Sequence, residues 1–220
     1  MKRDELSQLV RTGYDRLADV YVERFFDELA RKPFDRELLD EFAKRVGSDA
    51  TVCEIGCGPA QISRYLRDRG IDMQGIDISE EMVARARALN PEMIVNRGDM
   101  LALDAGAESW GGIVAFYSII HLLRRDVPTA FGEFARVLSP GGFLLLCFHA
   151  GEGEVKVDDM LDQPVPMVAT LFSADEIKGL LETAGFAIVD VRSRPAYDFE
   201  YNSERVYVTA RKPDLRGDER

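Results

Sequence analysis

The stretch TVCEIGCGPAQISRYL, from Thr51 to Leu66, combines residue types that can bind a ligand at a turn. Gly56 and Gly58 lie between an apolar run and a helical pattern, and glycine lacks the Cβ that would hold a ligand away from the backbone. Glu54 would place a carboxylate beside the same turn, where an anionic ligand would be repelled and a cationic ligand would not. The stretch therefore predicts a site where a positively charged ligand approaches the backbone closely.

A dinucleotide is the first alternative for this turn. The G-x-G-x-x-G fingerprint of NAD(P)-binding turns requires a third glycine, and Gln61 occupies that position. Pro59 also lacks the backbone N–H that could have faced a phosphate. An NAD(P)-binding oxidoreductase therefore stays open only as a less favoured alternative.

The elements that would position this turn alternate between strands and helices. Short apolar runs predict seven strands, at 51–55, 72–77, 92–96, 112–117, 142–148, 186–192 and 205–210. Helical patterns between them lie at about 60–69, 79–89, 126–137 and 173–184. This alternation predicts an α/β fold with a mostly parallel sheet and helices on both faces. The last two strands are joined by a connection too short for a helical crossover, so we expect the last strand to be antiparallel.

Residues 1–46 have a different pattern and are predicted to form an N-terminal helical cap. Apolar residues recur there at three- and four-residue steps, and the RKPFD segment interrupts them with Pro33. Residues 47–212 are predicted to form the ligand-binding domain. Within it, 151–172 is an insertion between the fifth strand and the next helix, and 213–220 is predicted to be a flexible tail.

Composition and charge limit the partners and the surroundings of the chain. The 220 residues carry a formal net charge of −11, which disfavours binding to nucleic acid. No apolar stretch reaches the roughly 18 residues of a membrane span, and the charged N-terminus has no apolar signal core behind it. Cys53, Cys57 and Cys147 are an odd number and lack the spacing of a zinc site. We expect a cytoplasmic protein with reduced thiols, no bound metal and no membrane contact.

The stretch Val52–Ala60, VCEIGCGPA, resembles the first motif, E/D-x-G-x-G, of class I S-adenosyl-L-methionine (SAM) methyltransferases. Further motifs follow in the family's order. GIDIS places Asp77 at the end of the second predicted strand, RGDML places Asp99 after the third, and VLSPGG leads into the fifth. The resemblance covers about residues 10–212. It implies a Rossmann-like fold, SAM as cofactor and S-adenosyl-L-homocysteine (SAH) as its product.

The resemblance also implies which residues contact the cofactor. Asp77 is expected to accept hydrogen bonds from the ribose hydroxyls, and Asp99 with the backbone amide of Met100 is expected to hold the adenine. The sulfonium and ammonium groups of SAM suit the carboxylate of Glu54. The full predicted set is Tyr14, Tyr21, Glu54, Gly56, Cys57, Gly58, Pro59, Asp77, Ile78, Asp99, Met100 and Phe116.

Tyr14 and Tyr21 are seven residues apart and so lie on one face of the first predicted helix. Their segment, YDRLADVYVERF, is similar to the Y-D-x-x-A-x-x-Y helix that covers the site in related methyltransferases and reaches the methionine end of the cofactor. Two interpretations stay open: at least one tyrosine contacts the cofactor, or the pair only covers the domain.

Three positions depart from the family pattern. Ala60 replaces the usual third glycine of the first motif, and Trp110–Gly112 replaces the acid commonly found at the start of the fourth strand. Phe116–Tyr117–Ser118 stands where methyltransferases that act on amides or on amino groups of bases carry N-P-P-Y. This last departure argues against methylation of nucleic acid bases or of protein glutamine.

His121, His149 and Tyr117 are the candidates for chemistry with the methyl acceptor. A general base is needed only when the acceptor is a protonated oxygen or nitrogen, and histidine can take a proton near neutral pH. His121 is the first candidate for a catalytic base, and Tyr117 is the candidate for a hydroxyl that orients the acceptor. The alternative for each histidine is a side chain at the rim of the sheet with satisfied hydrogen bonds.

The insertion at 151–172 mixes acidic and apolar residues. We expect it to form part of the acceptor pocket with the N-terminal cap, because lids of this kind exclude water; the alternative is a solvated acidic loop. The predicted function is transfer of a methyl group from SAM to an unidentified small molecule, by a monomer or a homodimer. A SAM-binding module without its own catalysis is the alternative. The methylated atom, O, N, C or S, stays open.

Overall fold

The computed structural model describes residues 1–214, so the end of the predicted tail, 215–220, lies outside the described residues. The helices are α1 (Arg3–Phe25), α2 (Pro33–Val46), α3 (Gln61–Arg67), α4 (Glu80–Leu89), α5 (Val127–Val137) and α6 (Ala174–Thr183). The strands are β1 (Thr51–Ile55), β2 (Asp72–Asp77), β3 (Ile94–Arg97), β4 (Trp110–Phe116), β5 (Leu138–His149), β6 (Glu154–Val157), β7 (Met167–Thr170), β8 (Ala187–Arg194) and β9 (Arg205–Arg211). Short 3₁₀ turns lie at Glu28–Arg31, Ile119–His121 and Arg124–Asp126.

Seven strands form one sheet in the order β3-β2-β1-β4-β5-β9-β8. Strands β1 to β5 pair in parallel, whereas β9 is antiparallel to both of its neighbours, β5 and β8. The predicted α/β fold with an antiparallel last strand is therefore confirmed. The strand order reverses between β1 and β4, and at such a switch point the carboxyl ends of the strands open a crevice for a ligand.

Strand β5 illustrates how both faces of the sheet are covered. Leu144 and Leu146 pack with Phe131 of α5 on one face, and Leu145 packs with Phe42 of α2 on the other. Successive side chains of a strand point to opposite faces, so a strand covered on both sides is apolar along its whole length. All five residues are buried, and truncation of either phenylalanine to alanine would cost about 3–5 kcal/mol.

The two N-terminal helices occupy different places. Leu39 and Phe42 of α2 pack against Val52 of β1, so α2 belongs to the helical layer on one face of the sheet. Helix α1 instead contacts α4 and β7, and its Leu17 packs with Met167. The predicted interruption at Pro33 is the first residue of α2, a position where the missing N–H of proline costs nothing. The division of the chain at residue 46 stays a prediction.

Side-chain caps explain where two helices begin. Ser79 Oγ accepts a hydrogen bond of 3.1 Å from the backbone N–H of Met82 at the start of α4. Ser173 Oγ does the same for the N–H of Glu176 at the start of α6, also at 3.1 Å. The Glu176 carboxylate, which a full capping box would direct back to Ser173, pairs with Arg124.

The insertion contains a structure that the sequence patterns did not indicate. Strands β6 and β7 pair antiparallel and form a separate two-stranded sheet, here called the β6–β7 hairpin. Each strand has only four residues, too few for an alternating pattern to stand out. Strands β4 and β5 also begin earlier than predicted, at Trp110 and Leu138. No helix within residues 1–214 has the length and apolar character needed to cross a bilayer.

Candidate active site

A cavity of about 700 Å³ opens at the carboxyl ends of β1, β2 and β4, between α1 and the β6–β7 hairpin. Most of the predicted site residues line it: Tyr14, Tyr21, Gly56, Gly58, Asp77, Ile78, Asp99, Met100, Phe116, Tyr117, His121 and His149. Three predicted cofactor contacts, Glu54, Cys57 and Pro59, do not line it. An adjoining groove of about 520 Å³ shares Asp99 and Ile78 with the cavity and extends past Arg11 and Arg97.

The turn after β1 can only be built from glycine at its first position. Gly56 has φ of +71°, and a Cβ on it would lie 2.4 Å from the Cβ of Ser118. Its N–H donates a hydrogen bond of 2.7 Å to the carbonyl of Ile76, which fixes the turn against β2. Gly58 also has a positive φ, +52°, and would bring an added Cβ to 3.8 Å from the ring of Tyr21. The backbone therefore lines the cavity without side chains in front of it.

Asp77 links the end of β2 to the glycine turn. Its Oδ2 accepts from the N–H of Gly58 at 2.7 Å and its Oδ1 from the N–H of Ser79 at 2.9 Å. Burial raises the pKa of Asp77 to about 6, against the backbone hydrogen bonds that lower it. The carboxyl is thus mostly ionised at neutral pH, and it faces the cavity in a fixed orientation.

Asp99 follows β3, the strand next to β2, and it lines the cavity together with Asp77. Its Oδ1 accepts from the N–H of Leu101 at 2.9 Å, which fixes the turn that also brings Met100 to the cavity. Asp77 and Asp99 are therefore two acidic side chains on neighbouring strand ends, as the sequence order indicated.

Glu54 lies elsewhere than expected. Its side chain is buried beneath the turn, where Oε2 accepts from the N–H and the Oγ of Ser63 in α3, at 2.9 and 2.5 Å. Burial raises the pKa of Glu54 to about 8, against the hydrogen bonds from Ser63. The expectation that this carboxylate faces a cationic ligand is corrected: Glu54 fixes the start of α3. Its strand is covered on both faces, so alternation alone did not say which way it points.

The other residues of the motif support the turn from behind. The Cys57 Sγ lies against β2, 2.9 Å from the position a Cβ on Gly75 would take. The carbonyl of Pro59 accepts from Asn90 Nδ2 at 3.3 Å. Ala60, in place of the third glycine, has φ of +66°, a conformation that costs a non-glycine residue roughly 1 kcal/mol. Its methyl group is buried in the core beside α3, which offsets part of that cost.

Tyr14 and Tyr21 both face the cavity from α1. Their rings meet edge to face with centroids 5.9 Å apart, and Tyr21 also contacts Phe25. The Tyr14 hydroxyl lies 2.7 Å from Nε2 of His121, and Nδ1 of the same histidine lies 3.1 Å from the carbonyl of Val168 in β7. Burial lowers the pKa of His121 to about 4, so the ring is neutral near pH 7.

The residues after β4 carry two hydroxyls with unmet hydrogen-bonding capacity. Both hydroxyls are buried, and both residues line the cavity. Ser118 Oγ has no hydrogen-bond partner within residues 1–214, and Tyr117 Oη has only the weakly bonding Cys147 thiol beside it. Tyr117 also has φ of +53°, held by a 2.8 Å hydrogen bond from its N–H to the carbonyl of Cys147. Unpaired buried hydroxyls beside strained backbone are typical of a ligand site.

His149 ends β5 on the far wall of the cavity. Its Nδ1 lies 2.7 Å from Ser203 Oγ, and its ring is 4.9 Å from that of Tyr117 between centroids. Burial, followed by the charge of Arg205, lowers the pKa of His149 to about 4. His149 and Tyr117 thus form a neutral aromatic surface, which continues to Tyr201.

A cluster of buried charges beside this wall was missed by sequence reasoning. Lys32 Nζ lies 2.7 Å from Glu28 and 3.0 Å from Glu200, and Arg194 bonds Glu200 at 2.6 Å and Asp35 at 2.9 Å. Burial alone would raise the pKa of Glu200, but the hydrogen bonds from Arg194, the Tyr197 N–H and Lys32 lower it to about 2. These partners come from the α1–α2 connection, from α2, from β8 and from the β8–β9 connection, so no local spacing could have indicated them.

The β6–β7 hairpin closes the cavity opposite the glycine turn. Eight residues of its strands and their connection line the cavity: Val155, Val157, Asp159, Met160, Leu161, Met167, Val168 and Ala169. Thr170 Oγ1 donates to the carbonyl of Leu122 at 2.7 Å, and Arg24 of α1 pairs with Asp162 at 2.6 Å. Gly13 lets the hairpin approach α1, because a Cβ there would lie 2.7 Å from Met167 Cε. The hairpin is thus attached both to α1 and to the segment after β4.

The sequence of this chain is similar to those of known methyltransferases. The sequence profile of the family described as "Methyltransferase domain" matches residues 22–191. A probable SAM-dependent methyltransferase of Mycolicibacterium smegmatis is 31% identical over 140 residues, which cover 63% of this chain and 52% of that protein. A malonyl-[acyl-carrier protein] O-methyltransferase of Enterobacter lignolyticus is 29% identical over 141 residues, 62% of this chain and 52% of that protein. The chain spans about half the length of both relatives.

A solved structure supports the same fold. The crystal structure of a SAM-dependent methyltransferase from Methanosarcina mazei superposes with a TM-score of 0.71 at 19% identity, covering 77% of this chain and 95% of that one.

Proposed function

The chain belongs to the methyltransferase domain family of SAM-dependent enzymes, and on that premise we propose that it transfers a methyl group from SAM to a small molecule bound in the cavity. One observation carries the proposal. The glycine turn and Asp77 line the same cavity as Tyr117 and His149, so a cofactor half and an acceptor half share one enclosed space.

The cofactor half suits SAM rather than a phosphate-bearing nucleotide. Asp77 would accept hydrogen bonds from the ribose hydroxyls, and Asp99 with Met100 would hold the adenine. The open backbone at Gly56 and the unpaired Ser118 hydroxyl would receive the methionyl end. The carboxylates of Asp77 and Asp99 face this half, which favours a cationic ligand over a phosphate. SAM would supply a methyl group already activated by a sulfonium.

The acceptor half is lined by apolar and aromatic side chains, and charged side chains, among them Lys32 and Glu200, line its edge. The β6–β7 hairpin would form one side of the acceptor pocket, and Tyr117 and His149 would form the other. The chain's main task would be to hold the acceptor in line with the methyl group and to exclude water. Proximity and orientation of this kind supply roughly 7–11 kcal/mol in favourable cases. The relatives include proteins described as O-methyltransferases and as an N,N-dimethyltransferase, so their names do not select one acceptor atom.

Calorimetric titration with SAH, beside NADH, tests the cofactor. We expect micromolar binding of SAH and at least a tenfold loss of affinity in Asp77→Asn, because the variant removes the charge and leaves one of the two backbone N–H groups, of Gly58 or Ser79, without its acceptor. Asp104→Asn, an exposed carboxylate outside the cavity, is the matched control and should bind like the wild type. Binding of NADH instead of SAH by folded, ligand-free protein would overturn the proposal in favour of an oxidoreductase.

Transfer of label from methyl-labelled SAM then separates an enzyme from a binding module. Labelled product in a deproteinised small-molecule extract supports catalysis, and SAH binding without any transfer supports the module. A cytoplasmic location, the monomeric or homodimeric state and the lack of nucleic acid contact stay predictions from composition.

A further inference from the structure

The carboxyl edge of the sheet sets the order of the residues that line the cavity. Gly56 follows β1, Tyr117 follows β4 and His149 ends β5. The next strand in the sheet is β9, which begins at Arg205 opposite His149. Neighbouring strands lie about 4.8 Å apart, so the start of β9 lies roughly 10 Å from the end of β4. The cavity extends to this region, here called the β9 end, which is lined by Arg31, Lys32, Phe199, Glu200 and Arg205.

The cluster of charges at the β9 end is balanced. Three cations and three carboxylates form it: Lys32, Arg194, Arg205, Glu28, Asp35 and Glu200. Each carboxylate has a cation within 2.9 Å. Their formal charges therefore sum to zero, and none of the three carboxylates is free to bind a cationic ligand.

Arg31 adds a positive charge that no carboxylate balances. It lines the cavity, but its side chain makes no hydrogen bond and no ion pair within residues 1–214. The other lysine and arginines that line the cavity each have a carboxylate within 3.4 Å: Arg24, Lys32 and Arg205. Asp159, in the β6–β7 connection, lines the cavity as an exposed carboxylate.

A stack of side chains holds the Arg31 guanidinium in place. Its Cζ lies 4.1 Å from the centroid of the Phe199 ring, which stacks on Tyr197 with centroids 5.6 Å apart and an interplanar angle of 13°. On the far side of Tyr197 the stack reaches buried Arg194, whose Cζ lies 4.0 Å from the Tyr197 centroid. A guanidinium that stacks on a ring keeps the N–H groups at its edge available. Arg31 is therefore positioned, and its donors are free.

A second free donor lies beside the same connection. Arg205 is 3% exposed, and its buried Nε has no hydrogen-bond partner within the described residues. Glu200 Oε2 lies 3.4 Å from this nitrogen, without the geometry of a hydrogen bond. A buried donor without an acceptor is uncommon in folded proteins, and an oxygen of a bound ligand would satisfy it. The β9 end therefore has a free charge and a free buried donor.

We propose that the methyl acceptor is a small carboxylic acid, whose carboxylate binds Arg31 at the β9 end and stays unmethylated in the product. The proposal rests on the proposed function. The edge of a guanidinium binds a carboxylate through two parallel hydrogen bonds. One free positive charge also matches the single charge of a carboxylate better than the nearly double charge of a phosphate.

The distance along the sheet explains why the carboxylate is an anchor and not the methylated group. The β9 end lies roughly 10 Å from the end of β4, and β1 with its glycine turn lies one strand further away. The rest of the acceptor would lie along Tyr117 and His149. A lone pair of another acceptor atom forms the bond to the methyl carbon, and the sulfur–carbon bond breaks with its electron pair on sulfur.

The first test determines whether the product keeps a carboxylate. The protein is incubated with methyl-labelled SAM and a deproteinised small-molecule extract. The products are then treated with a carbodiimide and an amine tag, which couples to free carboxylates, and mass spectrometry finds the molecules that carry both label and tag. We expect tagged product whose label resists mild alkali. A methyl ester, or labelled product without a carboxylate, would overturn the proposal.

The second test determines whether Arg31 binds the acceptor. Serial dilution of the extract gives the amount that half-saturates transfer. Arg31→Gln should raise this amount about tenfold or more, as the loss of a charge-assisted hydrogen bond does, with the maximal rate and SAH affinity within about threefold of the wild type. Phe199→Leu should raise it about threefold, because it removes only the ring beneath the guanidinium.

Arg45→Gln is the matched control, because Arg45 is also exposed and also lacks a hydrogen bond and an ion pair, but lies outside the cavity. It should behave like the wild type. An unchanged half-saturating amount in Arg31→Gln, or an equal rise in Arg45→Gln, would overturn Arg31 as the contact and leave the methyltransferase intact. A rise in Asp159→Asn instead would indicate a cationic acceptor and would also overturn the proposal.

The failure of the two proposals is distinguishable. If the folded wild type does not bind SAH, the proposed function is overturned. SAH binding without any labelled product overturns both catalysis and the carboxylic acid acceptor. Labelled product that is not a carboxylate overturns the acceptor class alone.

Discussion

Gly56 at the end of β1 and Ser118 after β4 approach so closely that a methyl group on the glycine would lie 2.4 Å from the Ser118 Cβ. The contact joins the two strand ends at the point where the strand order reverses. It brings the glycine turn, in the proposed cofactor half, beside Tyr117, in the proposed acceptor half. A Cβ at position 56 would force these two strand ends apart.

Gly56→Ala is expected to damage both the turn and ligand binding. Positive φ costs alanine about 1–2 kcal/mol, and the clash with Ser118 adds to that cost. Gly70 is a matched control, because it has φ of +84° and nothing within 4 Å of an added Cβ. For Gly70→Ala, urea unfolding should show a loss of about 1 kcal/mol in the free energy of unfolding. Titration should show unchanged affinity for SAH. Equal effects of the two variants would refute the close approach.

Asp35→Asn is expected to lower the free energy of unfolding by about 3 kcal/mol, because it leaves buried Arg194 with a weaker partner. Asp35 bonds Arg194 Nη2 and the Tyr207 hydroxyl, each at 2.9 Å, and all three residues are buried. Glu92→Gln removes one charge from an exposed pair with Arg67 and should change stability by less than about 0.5 kcal/mol. If urea melts show similar losses for both variants, the cluster does not stabilise the fold as described.

Glu54→Gln is expected to flatten the pH dependence of stability. The folded-state pKa of Glu54, about 8, lies above its value in an unfolded chain, about 4.3, so the folded state binds the extra proton between these pH values. The stabilisation that protonated Glu54 contributes to the folded state is fully present below about pH 4, and it is lost as the pH rises to about 8. The glutamine keeps an oxygen for Ser63 without titrating, so it should be more stable than the wild type at pH 8.5, by on the order of 2–4 kcal/mol.

Thermal or urea melts at pH 5.5, 7 and 8.5 measure this difference. Glu23→Gln, on the exposed face of α1, is the control and should follow the wild-type pH dependence. Parallel curves for wild type and Glu54→Gln would mean that Glu54 is ionised in the folded protein.

Excision of the β6–β7 hairpin is expected to abolish methyl transfer and to spare SAH binding. The ends of the segment already meet, since Ala150 and Phe172 form a β-bridge and the Gly151 N–H bonds the Phe172 carbonyl at 3.2 Å. Because this bridge is parallel, the link has to lead the chain back before Phe172, so a flexible link of about a dozen glycine and serine residues replaces 152–171. Transfer from labelled SAM and SAH calorimetry measure the two effects. Transfer that survives the excision would show that the hairpin does not form the acceptor pocket.

The sequence by itself determined the seven-stranded sheet and brought together the residues of the proposed cofactor half. Strand and helix periods are local, and in a parallel sheet the carboxyl ends of neighbouring strands share one edge. Gly56, Asp77 and Asp99 each follow a recognisable strand, so their meeting was predictable from order alone. The direction of the Glu54 side chain was not predictable, because a strand that is buried on both faces has no polar side that would indicate where each side chain points.

Only the tertiary structure decided the acceptor half. Tyr14, His121 and Val168 meet although they come from α1, from the turn after β4 and from the hairpin. Asp35 and Arg194 form a buried pair across 159 residues. Such contacts depend on how long connections fold over the sheet, and hydrophobic periodicity carries no information about which side chains then face each other. The sequence therefore indicated which residues line the proposed cofactor half, and the packing of α1 and the hairpin decided which residues line the proposed acceptor half.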